Sequence, residues 1–190
     1  MAGGKSTRMK FNKAFARIAG KACIEIIIDK FKTYFKETII ISNEPELFIN
    51  YNLPIYKDIY PNRGPVGGIH SALVNASYDK IFILGCDVPF MDMNLVNYML
   101  TRLQGHDSVI PEVNFFLQPL AAAYSRSCLP VFSDCVNNGK LKLTRIFCEL
   151  DTLVIKENEL NKYGAVRDLF FNVNDPQALK QAEDIAGRLL

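Results

Sequence analysis

Residues 80–90 read Lys-Ile-Phe-Ile-Leu-Gly-Cys-Asp-Val-Pro-Phe, an apolar run that leads to a single acidic side chain. The run has no polar alternation, which is typical of a strand whose sheet is covered on both faces. Asp87 therefore lies at the carboxyl end of the strand, where a hard oxygen ligand suits the Mg²⁺ of phosphoryl chemistry. The alternative is an acid that caps the following helix. The Val88-Pro89 pair directly after Asp87 makes capping the less natural interpretation.

Further apolar and amphipathic runs alternate along the rest of the chain, which predicts the α/β class. Helices placed between buried strands indicate a mostly parallel sheet with helices on both faces. Ligands of such sheets bind beyond the carboxyl ends of the strands. Asp175-Pro176 supplies a cap and a first-turn proline for the last helix. The predicted strands are residues 38–42, 53–56, 80–85, 107–111 and 119–124, and the predicted helices are residues 23–35, 66–76, 93–103, 141–150 and 175–190.

The composition fits one domain, residues 1–190, with 49% hydrophobic side chains and a formal net charge of +2. So small a charge argues against a broad nucleic-acid or membrane surface, and no apolar run is long enough for a membrane span. The five cysteines are odd in number and lack C-x-x-C spacing, which argues against a disulfide framework or a zinc site. Reduced thiols and the lack of a signal-peptide pattern predict a cytoplasmic protein.

The amino-terminal segment combines glycine with positive charge. Residues 2–9 read Ala-Gly-Gly-Lys-Ser-Thr-Arg-Met, and residues 12–14 read Asn-Lys-Ala. Paired glycines let backbone N–H groups approach a phosphate, and nearby cations neutralise a triphosphate and the charge that develops as it reacts. The candidate phosphate-binding residues are Gly3, Gly4, Lys5, Arg8 and Lys13.

Two other interpretations of this segment stay open. It can be a solvated terminus with ordinary surface lysines, or the end of a P-loop, whose G-x-x-x-x-G-K-[ST] pattern it matches in part. A P-loop needs a further glycine five residues before Gly4 and runs directly into a helix. Residues 8–12 have no clean amphipathic period. A kinase or GTPase of the P-loop type is therefore the weaker hypothesis.

The segment resembles the signature loop of the molybdenum cofactor guanylyltransferase (MobA) family, within the nucleotidyltransferase superfamily. The resemblance runs from residue 1 to about residue 185 and implies a three-layer, Rossmann-like nucleotidyltransferase fold. In that family a strand precedes the loop, with leucine where this sequence has Met1. We expect that strand upstream of residue 1; the alternatives are another segment in its place or an inactive protein. Four later stretches extend the match in the family's order: Gly-Pro-Val-Gly-Gly at 64–68, Cys-Asp-Val-Pro-Phe at 86–90, Gln-Pro-Leu-Ala at 118–121 and Asn-Val-Asn-Asp-Pro at 172–176.

The resemblance also implies roles for individual residues. Asp58 would accept hydrogen bonds from guanine N1–H and N2–H₂, and Asn43 would reach the base or ribose. Arg8 would contact the phosphates, and Lys13 would contact the α-phosphate in the transition state. Asn172 and Asn174 either orient the metal site or cap a turn. The implied catalytic residues are Arg8, Lys13 and Asp87, with Asp87 as metal ligand, and the implied nucleotide-binding residues are Met1, Ala2, Gly3, Gly4, Lys13, Asn43, Asp58, Gly67, Gly68 and Asp87.

By resemblance the donor is GTP, the acceptor is Mo-molybdopterin and the cofactor is Mg²⁺. The acceptor phosphate would attack the α-phosphate directly, which forms molybdopterin guanine dinucleotide and releases pyrophosphate without a protein nucleophile. The alternatives are the same chemistry with CTP or another phosphate acceptor, and a non-catalytic nucleotide-binding protein. We expect a monomer that meets molybdoenzyme-specific chaperones, with neither nucleic acid nor a membrane among its partners.

Overall fold

Strands and helices alternate along the chain in a computed structural model that describes residues 1–2 and 12–189. None of the helices in these ranges is long and apolar enough to cross a membrane. The strands are β1 Arg17–Ile18, β2 Lys21–Ala22, β3 Ile40–Ile41, β4 Ile55–Tyr56, β5 Lys80–Leu84, β6 Ser108–Val113, β7 Phe116–Leu117, β8 Ala121–Ser125 and β9 Thr152–Ile155. The helices are α1 Cys23–Tyr34, α2 Gly64–Asn75, α3 Met93–Arg102, α4 Leu129–Asn137, α5 Leu143–Ile146, α6 Glu157–Leu160, α7 Val166–Leu169 and α8 Pro176–Leu189.

The main sheet places β5, β8, β6 and β9 side by side in that order. β6 and β9 are parallel, whereas β8 lies antiparallel between β5 and β6, so β5, β6 and β9 end at the same edge. β3 and β4 form a separate parallel pair. The predicted mostly parallel α/β sheet is confirmed. The reversed direction of β8 is a feature that the apolar pattern alone does not reveal, because a buried strand looks the same in either direction.

Successive residues of strand β5 enter two different hydrophobic clusters, as a three-layer fold requires. Leu84 packs on one face of the sheet with Leu95 of α3. Its neighbour Ile83 packs on the other face with Ile69 of α2 and Phe132 of α4. Each such side chain contributes about 1.5–3 kcal/mol when fully buried, so the two clusters hold the helices against both faces.

Met1 and Ala2 lie between β3 and β5 at the carboxyl ends of these strands. The Met1 amine donates to the Leu84 carbonyl oxygen at 2.6 Å, and the Cys86 N–H donates to the Met1 carbonyl oxygen at 3.0 Å. Bonds to the two residues that flank Gly85 are the pattern of a parallel ladder. On the other side, the Ala2 N–H donates to the Ile41 carbonyl oxygen at 2.9 Å. These two residues therefore join the β3–β4 pair to the main sheet.

The structure departs from the sequence prediction in the carboxyl-terminal half. The helix predicted for residues 141–150 is wrong in extent, because only Leu143–Ile146 is helical. Ile146, Phe147 and Leu150 are nevertheless buried in the cluster that contains α4. Their apolar spacing therefore reflects tertiary packing rather than one continuous helix. The prediction also omitted the β1–β2 hairpin, α4 and β9.

Candidate active site

Asp87 lies in the turn that follows β5, and its side chain is half-buried. The turn is held by backbone bonds from the Gly85 N–H to the Leu120 carbonyl oxygen, 2.7 Å, and from the Val173 N–H to the Asp87 carbonyl oxygen, 2.9 Å. A Cβ on Gly85 would lie 2.8 Å from Asp87 Oδ1. The carboxylate therefore folds back over its own strand end, in space that only glycine leaves open.

Lys13 reaches the same region from the other end of the chain. It begins the 3₁₀ turn Lys13–Phe15, which Asn12 caps by accepting from the Ala14 N–H at 3.1 Å. Its Nζ donates to the Asn174 side-chain oxygen. Asn174 follows Val173, which bonds to the Asp87 backbone. Lys13 and Asp87 are therefore held by adjacent residues of one segment.

The pKa of the Cys86 thiol depends on the charges around this turn. Burial raises the pKa of Cys86 to about 11; the Met1 amine and Lys13 oppose the rise, and Asp87 adds to it. All three charges are thus close enough to act on one buried atom. At neutral pH the thiol is protonated, so Cys86 is a packing residue and not a nucleophile.

A second cluster lies where β3 and β4 end. Asn43 and Asp58 follow these parallel strands and make a reciprocal pair. The Asn43 amide donates to Asp58 Oδ2 at 2.8 Å, and the Asp58 N–H donates to Asn43 Oδ1 at 3.0 Å. Asp58 Oδ1 lies on the side of Gly68, 3.7 Å from where a Cβ on that glycine would be. The pair fixes the carboxylate while one of its oxygens faces the start of α2.

The two predicted glycines of α2 serve different contacts. A Cβ on Gly68 would overlap the Met1 side-chain methyl group, so Gly68 permits the close approach of Met1. A Cβ on Gly67 would instead lie 2.9 Å from Arg63 Cβ and 3.0 Å from the Tyr60 carbonyl oxygen. Gly67 therefore permits the tight entry into the helix, and Gly68 is the glycine beside the Asn43–Asp58 pair.

Ala2 lies between the two clusters, and its backbone N–H and carbonyl oxygen are both already hydrogen-bonded within the protein. Its N–H donates to Ile41, and its carbonyl oxygen accepts from the Ser42 hydroxyl at 3.2 Å. The structure thus brings Lys13 and Asp87 together at one cluster and Met1, Asn43, Asp58 and Gly68 at the other. Gly3, Gly4, Lys5 and Arg8 lie outside the described residues.

Lys30 is a site residue that the sequence prediction missed. It lies in α1, and its Nζ donates to the carbonyl oxygens of Pro89 and Met91, at 3.1 and 3.2 Å. Burial lowers the pKa of Lys30, and Asp92 opposes that shift. Lys30 thereby fixes the turn that carries Asp87. Its only sequence signal is a lysine inside the otherwise apolar face of a helix.

The oxygen ligands of this turn suit one kind of metal ion. Within residues 1–2 and 12–189, no three histidine, cysteine or acidic side chains gather as a metal cluster. A partly exposed carboxylate such as Asp87 fits Mg²⁺, which proteins commonly hold through one or two carboxylates together with substrate phosphates and water. The thiol and imidazole set of a structural zinc site does not occur in this part of the chain.

The position of Gly85 beside the carboxylate gives a direct prediction. In Gly85→Ala the added methyl group would lie 2.8 Å from Asp87 Oδ1, so the Asp87 side chain must move away. The next nearest atom, the Leu120 carbonyl oxygen, is 3.7 Å away and is in ordinary contact. We expect kcat to fall about tenfold, since small misplacements of site groups are costly. Gly187→Ala is the matched control, because nothing lies within 4 Å of its Cβ position. Equal kcat values in the two variants would contradict the placement of Asp87.

These two clusters lie at one edge of the sheet in a three-layer fold. This arrangement defines a class of protein, the α/β nucleotide-binding proteins. One cluster holds a carboxylate fixed by an amide, and the other holds a lysine and an acid, at the sheet edge where ligands of such folds bind. The comparisons make the class specific. The model of the MobA-like NTP transferase domain matches residues 1–153, and the chain belongs to this family.

Curated relatives cover nearly the whole chain. A probable molybdenum cofactor guanylyltransferase of Clostridium perfringens (strain 13 / Type A) is 37% identical over 177 residues, 92% of this chain and 89% of the relative. The molybdenum cofactor guanylyltransferase of Desulfosudis oleivorans is 31% identical over 193 residues, 100% of this chain and 96% of the relative. The chain is thus a nucleotidyltransferase related to these enzymes over most of its length.

Solved structures with low sequence identity share the fold. Molybdopterin-guanine dinucleotide biosynthesis protein A of Archaeoglobus fulgidus has a TM-score of 0.86 at 24% identity, over 98% of this chain and 96% of its own. The 2-C-methyl-D-erythritol 4-phosphate cytidylyltransferase of Thermus thermophilus has a TM-score of 0.70 at 14% identity, over 92% of this chain and 94% of its own. The nucleotidyltransferase fold predicted from the sequence is confirmed.

Proposed function

We propose that the chain transfers GMP from GTP to Mo-molybdopterin, which yields molybdopterin guanine dinucleotide and pyrophosphate. The names of the relatives at 31–37% identity support this reaction. The observation that carries the proposal is the Asn43–Asp58 pair at the ends of β3 and β4, because it presents a fixed carboxylate oxygen beside Gly68. The chain is proposed to act in the cytoplasm, where its GTP is available.

Guanine suits the carboxylate of Asp58 better than adenine does. Guanine N1–H and N2–H₂ are two adjacent donors, and a carboxylate accepts from both, whereas adenine N1 is itself an acceptor. The Asn43 amide engages only Oδ2 of Asp58 and keeps the carboxylate in one orientation. Oδ1 is then the oxygen toward the base, and Gly68 leaves room for a flat ring beside it.

The transfer needs positioned charge rather than a protein nucleophile. A phosphate oxygen of the acceptor attacks the α-phosphorus of GTP, and the bond from that phosphorus to the oxygen bridging to the β-phosphate breaks as pyrophosphate leaves. Lys13, oriented by Asn174, stabilises the charge on the α-phosphate oxygens. The acceptor phosphate is already ionised at neutral pH, so no strong general base is required. Arg8 is proposed to bind the phosphates as well.

Asp87 is proposed to hold Mg²⁺ together with the triphosphate. When bound, the ion neutralises and orients phosphate oxygens. Lys30 and Val173 keep the Asp87 turn in place for that purpose. We also propose that the protein is a monomer and that it transfers its product to molybdoenzyme-specific chaperones.

Asp58→Asn is expected to weaken the preference for guanine. Asn43 can still donate to the new amide oxygen, which leaves the new NH₂ group facing the donors of guanine. We expect the ratio of GTP to ATP affinity to fall at least about tenfold, the loss of one hydrogen bond to a charged group. Titration of each nucleotide measures it. Asp29→Asn, on the exposed face of α1, is the matched control, and an unchanged ratio in Asp58→Asn would remove this residue from base recognition.

Pyrophosphate release tests the proposed reaction as a whole. The protein is mixed with Mg²⁺, Mo-molybdopterin and either GTP, CTP or ATP, and pyrophosphate is measured with and without the acceptor. We expect release that depends on the acceptor and is greatest with GTP. A preference for CTP would favour the cytidylyl alternative. GTP binding without any release of pyrophosphate would contradict the transferase proposal and favour a non-catalytic nucleotide-binding protein.

A further inference from the structure

The segment that carries Asp58, residues 57–63, joins β4 to α2 and has no helix or strand of its own. Side chains from outside the segment hold its backbone. On the sheet side, the Asp58 N–H donates to Asn43 Oδ1 at 3.0 Å. On the helix side, the next N–H along the chain, that of Ile59, donates to the Ser71 hydroxyl oxygen at 2.8 Å. Two successive N–H groups are therefore fixed, one by a residue that follows β3 and one by a residue of α2.

Ser71 lies on the part of α2 that also borders the Asp58 carboxylate. Its side chain is fully buried, and it follows Gly68 by three positions. Residues three apart in a helix are neighbours on one face. Asp58 Oδ1 lies 3.7 Å from where a Cβ on Gly68 would be. The bond from Ile59 to Ser71 therefore sets the spacing between the carboxylate and Gly68.

Packing of the segment against α2 determines its position less closely than this hydrogen bond does. The Ile59 side chain is 46% exposed, so its burial contributes little. The Tyr60 ring meets the His70 ring edge-on, with the ring centroids 5.1 Å apart. Ring pairs are favourable over separations of about 4.5–7 Å, whereas an N–H···O bond holds its heavy atoms within about 2.7–3.2 Å. The Ser71 hydroxyl is thus the contact that locates the segment on the helix.

We propose that Ser71 is a positioning residue for base recognition, which holds the Asp58 carboxylate at the distance from Gly68 that guanine requires. The inference rests on the proposed role of Asp58 toward guanine and extends it, because the buried Ser71 acts through the backbone of Ile59. Without the hydroxyl, the Ile59 N–H loses its acceptor and the segment can relax away from α2. The carboxylate then no longer meets guanine N1–H and N2–H₂ at hydrogen-bond distance.

Titration of Ser71→Ala with GTP and with ATP tests the inference. We expect the ratio of GTP to ATP affinity to fall about fivefold, within the range for the loss of one neutral hydrogen bond, while ATP affinity changes little. Ser108→Ala is the matched control. Ser108 is equally buried, and its hydroxyl bonds to that of Thr152 at 2.9 Å, but it begins β6 at the edge of the sheet opposite the candidate site. Both variants should lose Tm, and only Ser71→Ala should lose selectivity.

The double variant Asp58→Asn with Ser71→Ala shows whether Ser71 acts through Asp58. If it does, Ser71→Ala lowers the affinity ratio no further once Asp58 is already replaced. A second fall of the same size would overturn the inference, because Ser71 would then affect the nucleotide by another route. If Asp58→Asn lowers the ratio and Ser71→Ala does not, only the role of Ser71 is wrong. If Asp58→Asn itself leaves the ratio unchanged, the proposed recognition of guanine fails, and the role of Ser71 fails with it.

Discussion

Asp87→Asn is expected to lower kcat on the order of 10³-fold, because it removes the carboxylate charge proposed to hold Mg²⁺ at the triphosphate. Asparagine has nearly the same shape, and the bond from Val173 reaches the backbone of residue 87 rather than its side chain. The fold should therefore survive with little change in Tm. Steady-state pyrophosphate release at increasing Mg²⁺ measures the loss.

Asp92→Asn is the matched control for that variant. Asp92 lies five residues further along the same turn and caps α3 by accepting from the N–H groups of Asn94 and Leu95, at 2.8 and 3.0 Å. Asparagine caps helices as well as aspartate does, so this variant should retain kcat and Tm. Wild-type turnover of Asp87→Asn at saturating Mg²⁺ would exclude Asp87 from the metal role.

Lys13→Ala is expected to lower kcat on the order of 10²-fold while GTP affinity changes much less. The proposed contact of Lys13 with the α-phosphate strengthens as charge develops in the transition state, and only such an interaction accelerates the chemical step. Separate measurements of kcat and of the GTP dissociation constant reveal the split.

Lys21→Ala controls for the loss of a surface charge. Lys21 is exposed, and its Nζ pairs with Asp29 at 2.8 Å, remote in role from the site. Its removal should leave both constants nearly unchanged. If Lys13→Ala weakens GTP binding as much as it lowers kcat, Lys13 binds the ground state and has no special part in the transition state.

The sequence pattern predicted those strands and helices whose own residues form a continuous apolar run or a regular helical spacing. The strand at residues 80–84 and the helix that begins at Cys23 came from unbroken apolar runs and helical spacing. α4 escaped prediction because residues 129–137 include several weak helix formers, and burial of Phe132, Cys135 and Val136 stabilises it instead. The helical spacing of these three buried residues is a local signal that the prediction did not use.

The candidate site was likewise predictable only in part. The residues adjacent to Asp87 in sequence predict its position at a strand end, but they do not predict which distant residues hold it there. The Asn43–Asp58 pair depends on two strands lying side by side, and the role of Lys30 depends on where the Asp87 turn packs. The family resemblance supplied the roles of Asn43 and Asp58, and sequence alone supplied only an acid and an amide in the right kind of place.

The bond between Lys13 and Asn174 spans 161 positions of the chain. During synthesis, Lys13 leaves the ribosome long before the residue that orients it, so most of the sheet can form before the candidate site is complete. Any polypeptide released before residue 174 lacks both this amide and the Val173 N–H that supports the Asp87 turn. Only a chain synthesised beyond residue 174 can therefore hold Lys13 and Asp87 as they stand in the folded protein, so the proposed turnover must await that segment.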